Sequence, residues 1–187
     1  MTRIYLGVGT NTDREHYLHR GLDALEQLLG PLELSPVFES DAVGILGTRF
    51  YNMVVGAECS LSLPDLNSAL KAIEAACGRR EQSSPSRITL DVDILEYGDL
   101  TGRYGKVILP RPEVRTNAFV LWPLALLAPQ VTLPGSDLTH GDLWSRWQGD
   151  QRLWPTGFSW RDRQLTPLEL LTQKPHQTAV TAGSGAA

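Results

Sequence analysis

The order in which apolar segments follow one another most limits how this chain can fold. Segments with the apolar content typical of strands lie at residues 3–8, 50–57 and 88–97, and residues 32–41 are expected to be extended. Between them, apolar residues three and four positions apart predict two helices, one after Asp13 and one after Ser62. The order strand, helix, strand, strand, helix, strand is that of the split βαβ arrangement. We therefore predict an α/β fold of the α+β type, with a ferredoxin-like antiparallel sheet and helices packed on one face.

One domain followed by an extension is the predicted organisation of the 187 residues. We assign residues 1–135 to the domain, in which a last helix is capped by Thr116 and ends at Pro129. Residues 136–172 are expected to form a C-terminal extension that packs on the domain through its tryptophans, although binding by these tryptophans is an alternative. Residues 173–187 are predicted to be disordered, because they contain few large apolar side chains.

Composition and charge exclude several classes of protein. Hydrophobic residues make up 42% of the chain and charged residues 20%, which is near the globular average and excludes wholesale disorder. Because the 21 acidic residues outnumber the 17 basic ones, we expect neither nucleic acid nor a membrane surface as a partner. No apolar stretch reaches the roughly 18 residues that a membrane span needs. With only two cysteines, the chain is expected to be a cytoplasmic protein. We also expect it to be soluble and a monomer.

Two aspartates within a predicted strand are the sharpest chemical feature. Side chains alternate along a strand, so Leu90, Val92 and Ile94 are expected to face the helices, whereas Asp91 and Asp93 share the opposite face about 7 Å apart. Two carboxylates this close repel each other unless a cation lies between them, and Mg²⁺ is commonly held by one or two carboxylates together with substrate phosphates. The alternative is a half-solvated strand whose outward residues happen to be acidic.

Arginines crowd the sequence on either side of these aspartates. Arg79, Arg80 and Arg87 precede them in a polar segment, and Arg111 and Arg115 follow them. Positive charge next to a carboxylate pair is what phosphoryl transfer requires, because that chemistry depends on positioning and on neutralising phosphate oxygens. The alternative is that exposed arginines simply balance acidic neighbours. A glycine-rich P-loop motif is absent from the sequence.

Six groups of residues between Arg3 and Gly135 carry a resemblance to a known family. They are Gly9-Thr10-Asn11, Phe50-Tyr51-Asn52, Glu74 with Gly78-Arg79, Leu90-Asp91-Val92-Asp93-Ile94-Leu95, Pro110, and Ala118-Phe119-Val120-Leu121-Trp122-Pro123-Leu124 with Ala128-Pro129. In order and approximate spacing they resemble the 6-hydroxymethyl-7,8-dihydropterin pyrophosphokinases of folate biosynthesis. The resemblance implies a ferredoxin-like sandwich that transfers the diphosphoryl group of ATP to the pterin hydroxymethyl, giving AMP.

The resemblance also implies roles for the residues that match the motifs. Asp91 and Asp93 match carboxylates that hold two Mg²⁺ ions between ATP and the pterin, and Glu74 and Arg79 match positions on the nucleotide side. Asn52 matches the amide that recognises the pterin edge, for which a side chain with both a donor and an acceptor is suited. Phe119 matches the aromatic ring that stacks on the pterin. The backbone around Ala42, Val43 and Gly44 takes the place of a loop that contacts the pterin.

The nucleotide side departs from the family pattern in ways that lead to a second hypothesis. The family has an arginine three residues before the first aspartate, where this chain has Ile88, and the nearest arginine is Arg87. Arg111 replaces a histidine and Asn117 replaces an arginine, so we expect Arg111 or Arg115 to compensate. The alternative to the enzyme is a non-catalytic or altered-specificity pterin-binding paralogue.

The predicted site residues form three groups. We assign catalysis to Asp91, Asp93, Arg79 and Arg87, substrate binding to Asn52, Phe119, Val43 and Gly44, and ATP binding to Glu74, Arg79, Arg111 and Arg115, with Asp91 and Asp93 as the metal ligands. A segment from Arg79 to Arg87 is expected to close over the site and exclude water.

Overall fold

The computed structural model describes residues 1–41, 48–80, 84 and 86–172. The strands are β1 (Thr2–Thr10), β2 (Glu33–Leu34), β3 (Val37–Ser40), β4 (Phe50–Cys59), β5 (Asp91–Tyr97), β6 (Gly102–Tyr104), β7 (Val107–Leu109), β8 (Leu153–Thr156), β9 (Ser159–Trp160) and β10 (Arg163–Gln164). The helices are α1 (Arg14–Leu29), α2 (Leu63–Ala76), α3 (Glu113–Thr116), α4 (Ala118–Leu127), α5 (His140–Ser145) and α6 (Leu168–Leu171).

The main sheet has the strand order β5-β1-β4-β3-β8, and β2 pairs with a further part of β4. Its pairings are antiparallel, including both partners of the central strand β1. Since β5 and β3 lie outside β1 and β4, the first four strands of this order have the ferredoxin-like arrangement. The predicted antiparallel sheet is therefore confirmed.

Different helices cover the two faces of the sheet. Ile4, Leu6 and Val8 of β1 are buried in a core with leucines of α1 and α2, whereas Tyr5 points to the opposite face and packs with residues of α4. Helices on one face were expected, and α1 and α2 occupy that face. The structure adds α4 on the other face, because the central strands carry apolar side chains on both of their sides.

The N-termini of the helices test the capping residues that the sequence predicted. Ser62 caps α2 as predicted, since its hydroxyl accepts the Asp65 backbone N–H at 3.3 Å. Asp13 precedes α1 but makes no capping hydrogen bond with its side chain. Thr116 ends α3, so the predicted cap at Thr116 is wrong, and α4 begins after Asn117.

Residues beyond 135 contact the body of the molecule at several places. Strand β8 pairs with β3, the rings of Trp122 and Trp144 stack 5.1 Å apart, and the Trp160 indole donates to Asp23 at 2.9 Å. These contacts agree with an extension that packs through its tryptophans, while the boundary near residue 135 stays a prediction. Residues 173–187 lie outside the described residues. Within the described ranges, no helix has the length and apolar character that a membrane crossing requires.

A buried pair of polar side chains joins α5 to β5. His140 is fully buried and Glu96 nearly so, and the His140 Nε2 lies 2.6 Å from the Glu96 Oε1. The other ring nitrogen, Nδ1, lies 2.9 Å from the Ala128 carbonyl oxygen. Both ring nitrogens therefore have partners, which a buried imidazole requires. This pair was not foreseen from the sequence, because its members are 44 residues apart.

Replacing His140 is expected to destabilise the fold strongly. The change His140→Ala leaves the Glu96 carboxyl buried without its partner, so we expect the free energy of unfolding to fall by about 3 kcal/mol. Urea denaturation followed by circular dichroism measures this change. The control His16→Ala removes an exposed imidazole from α1 and should change the free energy by less than about 0.5 kcal/mol. Equal effects of the two substitutions would contradict the role of the buried pair.

Candidate active site

A cavity of about 300 Å³ lies on the face of the sheet opposite α1 and α2. Residues from β1, β4, β5 and α4 line it, together with residues that follow β7. Five of the predicted site residues meet there, namely Asp91, Asp93, Asn52, Phe119 and Arg111. They come from four separate parts of the chain, so only the fold brings them together.

The two aspartates occupy the cavity side of β5. Val92 and Ile94 are buried in the core that faces α1 and α2, whereas Asp91 and Asp93 alternate with them and line the cavity. This is the alternation predicted from the sequence. Burial, followed by the negative charge of Asp91, raises the pKa of Asp93 to about 7, and the Arg111 guanidinium opposes the rise only in part. The cavity therefore contains a carboxyl group that is only partly ionised near neutral pH.

Each aspartate has one arginine beside it. The Arg79 Nη1 lies 3.1 Å from the Asp91 Oδ1 and also donates to the Leu90 carbonyl oxygen at 3.0 Å. The Arg111 Nη2 lies 3.6 Å from the Asp93 Oδ1, and the Arg111 backbone N–H donates to the Leu95 carbonyl oxygen at 2.8 Å. Both guanidiniums are thus held next to the carboxylates, close enough to contact an anion bound at the same place.

Asn52 has a fixed orientation in the cavity wall. Its Nδ2 donates to the Ser40 hydroxyl at 2.8 Å, and the side chain is buried. Gly9 lies opposite Asn52 in the β1–β4 pairing, and a Cβ at Gly9 would come within 3.2 Å of the Asn52 Oδ1. A glycine at this position therefore leaves room for the amide. Phe119, in the first turn of α4, forms another part of the wall.

Glu74 lies on the other side of β5 and does not line the cavity. It is buried on α2, and its carboxylate accepts the Val92 backbone N–H at 2.8 Å and contacts the Lys71 ammonium at 3.1 Å. Val92 is the residue between the two aspartates, so Glu74 fixes the strand that carries them. An acidic residue within the apolar stripe of α2 is the sequence signal for such a role.

The structure does not place the remaining predicted residues in this cavity. Arg87 is exposed, and Arg115 borders a separate depression together with Arg146 and Trp147. The predicted catalytic role of Arg87 and the predicted ATP contacts of Glu74 and Arg115 stay predictions. Val43 and Gly44, like Ala42, lie outside the described residues.

The acidic pair suits a hard divalent cation shared with a ligand. Among the described residues, no cluster of three or more His, Cys, Asp or Glu side chains could enclose a metal ion by itself. Asp91 and Asp93 offer carboxylate oxygens on one side of a cavity, which is the donor chemistry that Mg²⁺ takes when phosphate oxygens and water complete its shell. The residues present therefore fit Mg²⁺ in company with a phosphate ligand.

Comparisons of sequence identify a family. A family model described as 7,8-dihydro-6-hydroxymethylpterin-pyrophosphokinase (HPPK) matches residues 5–129. A protein from Aquifex aeolicus described as 2-amino-4-hydroxy-6-hydroxymethyldihydropteridine pyrophosphokinase is 33% identical over 136 residues, which cover 72% of this chain and 85% of that protein. A protein from Pseudomonas aeruginosa with the same description is 35% identical over 136 residues, covering 71% of this chain and 84% of that protein. The resemblance inferred from the motifs is confirmed.

Comparison with solved structures agrees on the fold. The crystal structure of wild-type HPPK-DHPS from Plasmodium falciparum superposes with a TM-score of 0.63 at 13% sequence identity. The match covers 79% of this chain and 44% of that one, so this chain spans less than half the length of that protein. At such low identity the likeness supports the fold alone.

Neutralising Asp93 is expected to remove a pH dependence of stability in metal-free buffer. Folding raises the pKa of Asp93 from 3.8 to about 7, so the folded state holds this proton to higher pH than the unfolded state does. The free energy of unfolding that depends on the protonated Asp93 carboxyl is therefore fully present below pH 3.8. It is lost as the pH rises towards about 7. We expect Asp93→Asn to raise the free energy of unfolding by about 1–2 kcal/mol near pH 8 and to change it little near pH 4.

Urea denaturation at several pH values measures this effect. The control Asp99→Asn removes an exposed carboxylate just beyond β5 and should keep the pH dependence of the wild type. If Asp93→Asn follows the same pH profile as the wild type, the raised pKa is assigned to the wrong group.

Proposed function

The chain belongs to the 7,8-dihydro-6-hydroxymethylpterin-pyrophosphokinase family, and from this we propose that it transfers diphosphate from ATP to 6-hydroxymethyl-7,8-dihydropterin in folate biosynthesis. The products of this reaction are AMP and the pterin diphosphate. The observation that carries the proposal is the meeting of Asp91 and Asp93 with Asn52 and Phe119 in one cavity. Family membership favours this enzyme over the non-catalytic or altered-specificity paralogue.

The pterin half of the reaction corresponds to the Asn52 and Phe119 side of the cavity. A volume of about 300 Å³ is at the lower end of the range for small-molecule sites and suits a compact bicyclic heterocycle. The face of the Phe119 ring offers a surface on which a flat heterocycle stacks. The amide of Asn52, oriented by Ser40, offers polar atoms to the ring edge. We assign these two residues to pterin binding.

The phosphate half corresponds to the acidic pair and its arginines. We propose that Asp91 and Asp93 hold Mg²⁺, with two ions as the family resemblance implies. When bound, Mg²⁺ neutralises phosphate oxygens and aligns the attacking and leaving groups. Asp91 and Asp93 would both be ionised when they hold the cation, because its positive charge favours loss of the proton that Asp93 otherwise retains.

Arg79 and Arg111 are the arginines that we assign to phosphate. Both are held at the carboxylates, at 3.1 Å and 3.6 Å, and a planar guanidinium binds phosphate oxygens in a two-pronged manner. Their proximity to the acidic pair supports this assignment over Arg87, which is exposed, and Arg115, which borders another depression. We propose that Arg79 and Arg111 bind the ATP phosphates in place of the arginines that the family has elsewhere. We further propose a cytoplasmic monomer, in keeping with two buried cysteines that are both free thiols.

Purified protein with ATP, Mg²⁺ and the pterin should release AMP. Because the carboxylates position the phosphates and their cations, Asp91→Asn and Asp93→Asn are each expected to lower kcat by about 100-fold or more. Chromatographic measurement of AMP gives the rate, and omission of Mg²⁺ should abolish it. The variant Asp99→Asn serves as the control and should keep wild-type activity. AMP that forms no faster with the pterin than without it would falsify the proposed reaction.

Truncating Asn52 is expected to weaken pterin binding selectively. The change Asn52→Ala removes hydrogen bonds to the ring edge, so the KM for the pterin should rise by about 10- to 100-fold while the KM for ATP stays close to that of the wild type. Steady-state kinetics with each substrate varied in turn measures both constants. Asn67→Ala, which removes an amide on α2 outside the cavity, should change neither. An equal rise in both constants would argue against a pterin-specific role.

A further inference from the structure

Gln151, a residue of the C-terminal extension, holds the first turn of α4. Its Oε1 accepts the Ala118 backbone N–H at 2.7 Å. Its Nε2 donates to the Thr116 carbonyl oxygen at 3.3 Å and lies 3.5 Å from the Asn117 Oδ1. One side chain thus satisfies backbone groups on both sides of Asn117, the residue that precedes α4.

The start of α4 depends on this contact because it has no local cap. Asn117 precedes the helix but its side chain makes no capping hydrogen bond. The first N–H groups of a helix have no partner within the helix, and a side chain must usually supply one. Gln151 supplies it here from 33 residues away in sequence.

The same short segment also contacts a second part of the cavity wall. The Arg152 Nε and Nη2 donate to the Asp41 Oδ2 at 3.0 Å and 2.7 Å, and Asp41 lines the cavity at the end of β3. The β3–β8 pairing joins Ser40 to Leu153, which brings Arg152 next to Asp41. Residues 151 and 152 therefore bridge the end of β3 and the start of α4.

An apolar cluster holds the residue that follows this two-residue segment. Leu153 is buried against Phe38 of β3 and against Ala118 and Trp122 of α4, and Phe119 packs on the cluster. Because Asn117 and Phe119 flank Ala118 and both line the cavity, a shift of the first turn of α4 changes the wall on which a ligand stacks.

We propose that Gln151 is a positioning residue for the pterin side of the site, an inference that rests on the proposed function. Of the two bridging residues, Gln151 has the larger effect. Its main bond is to a partly buried backbone N–H, whereas the Arg152–Asp41 pair is exposed, with 64% and 40% of the respective side chains accessible. Exposed ion pairs contribute little, while an unsatisfied buried N–H is costly.

The test compares Gln151→Ala with Gln151→Glu in steady-state kinetics. We expect Gln151→Ala to raise the KM for the pterin by about tenfold, and to leave the KM for ATP and kcat within about twofold of the wild type. Gln151→Glu loses the Nε2 that donates to the Thr116 carbonyl oxygen, but it keeps an oxygen that accepts the Ala118 N–H. Its negative charge is favourable at a helix start, so it should restore the pterin KM in part, to within about threefold of the wild type. The matched control Gln148→Ala changes an exposed glutamine of the extension outside the cavity and should alter nothing.

Hydrogen exchange of the Ala118 amide gives a second readout that is independent of turnover. Exchange should be faster in Gln151→Ala and near wild type in Gln151→Glu. An unchanged pterin KM in Gln151→Ala overturns the inference. The inference also fails if Gln151→Ala changes the pterin KM, the ATP KM and kcat by equal factors and Gln151→Glu does not reverse these changes. If the wild type itself gives no pterin-dependent AMP, the proposed function fails. Pterin affinity from calorimetry, measured on the same variants with an ATP analogue present, then decides the positioning role.

Discussion

Two carboxylates side by side on one strand are the constraint around which the site is arranged. Burial, followed by repulsion between Asp91 and Asp93, raises the pKa of Asp93 to about 7. Arg79 and Arg111 offset part of the repulsion, each next to one of the two acids. We propose a divalent cation at this pair because its positive charge would replace repulsion by attraction.

The strand that carries these acids lies at the edge of the sheet, where one side has no neighbouring strand among the residues that the structure describes. Edge strands leave backbone groups unpaired, and α2 supplies a partner by directing the Glu74 carboxylate at the Val92 N–H. Buried Glu74 therefore holds the backbone between the two aspartates, from the side of β5 that does not face the cavity. Farther along β5, the buried contact of Glu96 with His140 joins the same strand to α5.

The floor of the cavity depends on small residues in β1. A Cβ at Gly7 would lie 3.3 Å from the Leu95 side chain, and one at Gly9 would lie 3.2 Å from the Asn52 amide oxygen. Glycines on this face of the central strand leave space that larger side chains would occupy. The recess is closed at one side by α4, whose first turn depends on Gln151 of the C-terminal segment. The site is thus built from both ends of the chain.

Local rules of backbone geometry explain what the sequence by itself determined. Alternation along a strand predicted that Asp91 and Asp93 share a face away from Val92, helical spacing predicted α1 and α2, and the order of segments predicted the antiparallel sheet. The motifs predicted the family, and with it Asn52 and Phe119 as neighbours of the acidic pair. Tertiary structure alone decided that α4 covers the second face, that Glu74 points away from the cavity, and that Gln151 caps α4. The physical reason is that periodicity depends on adjacent residues, whereas the partner of a buried polar side chain is set by packing between segments far apart in sequence.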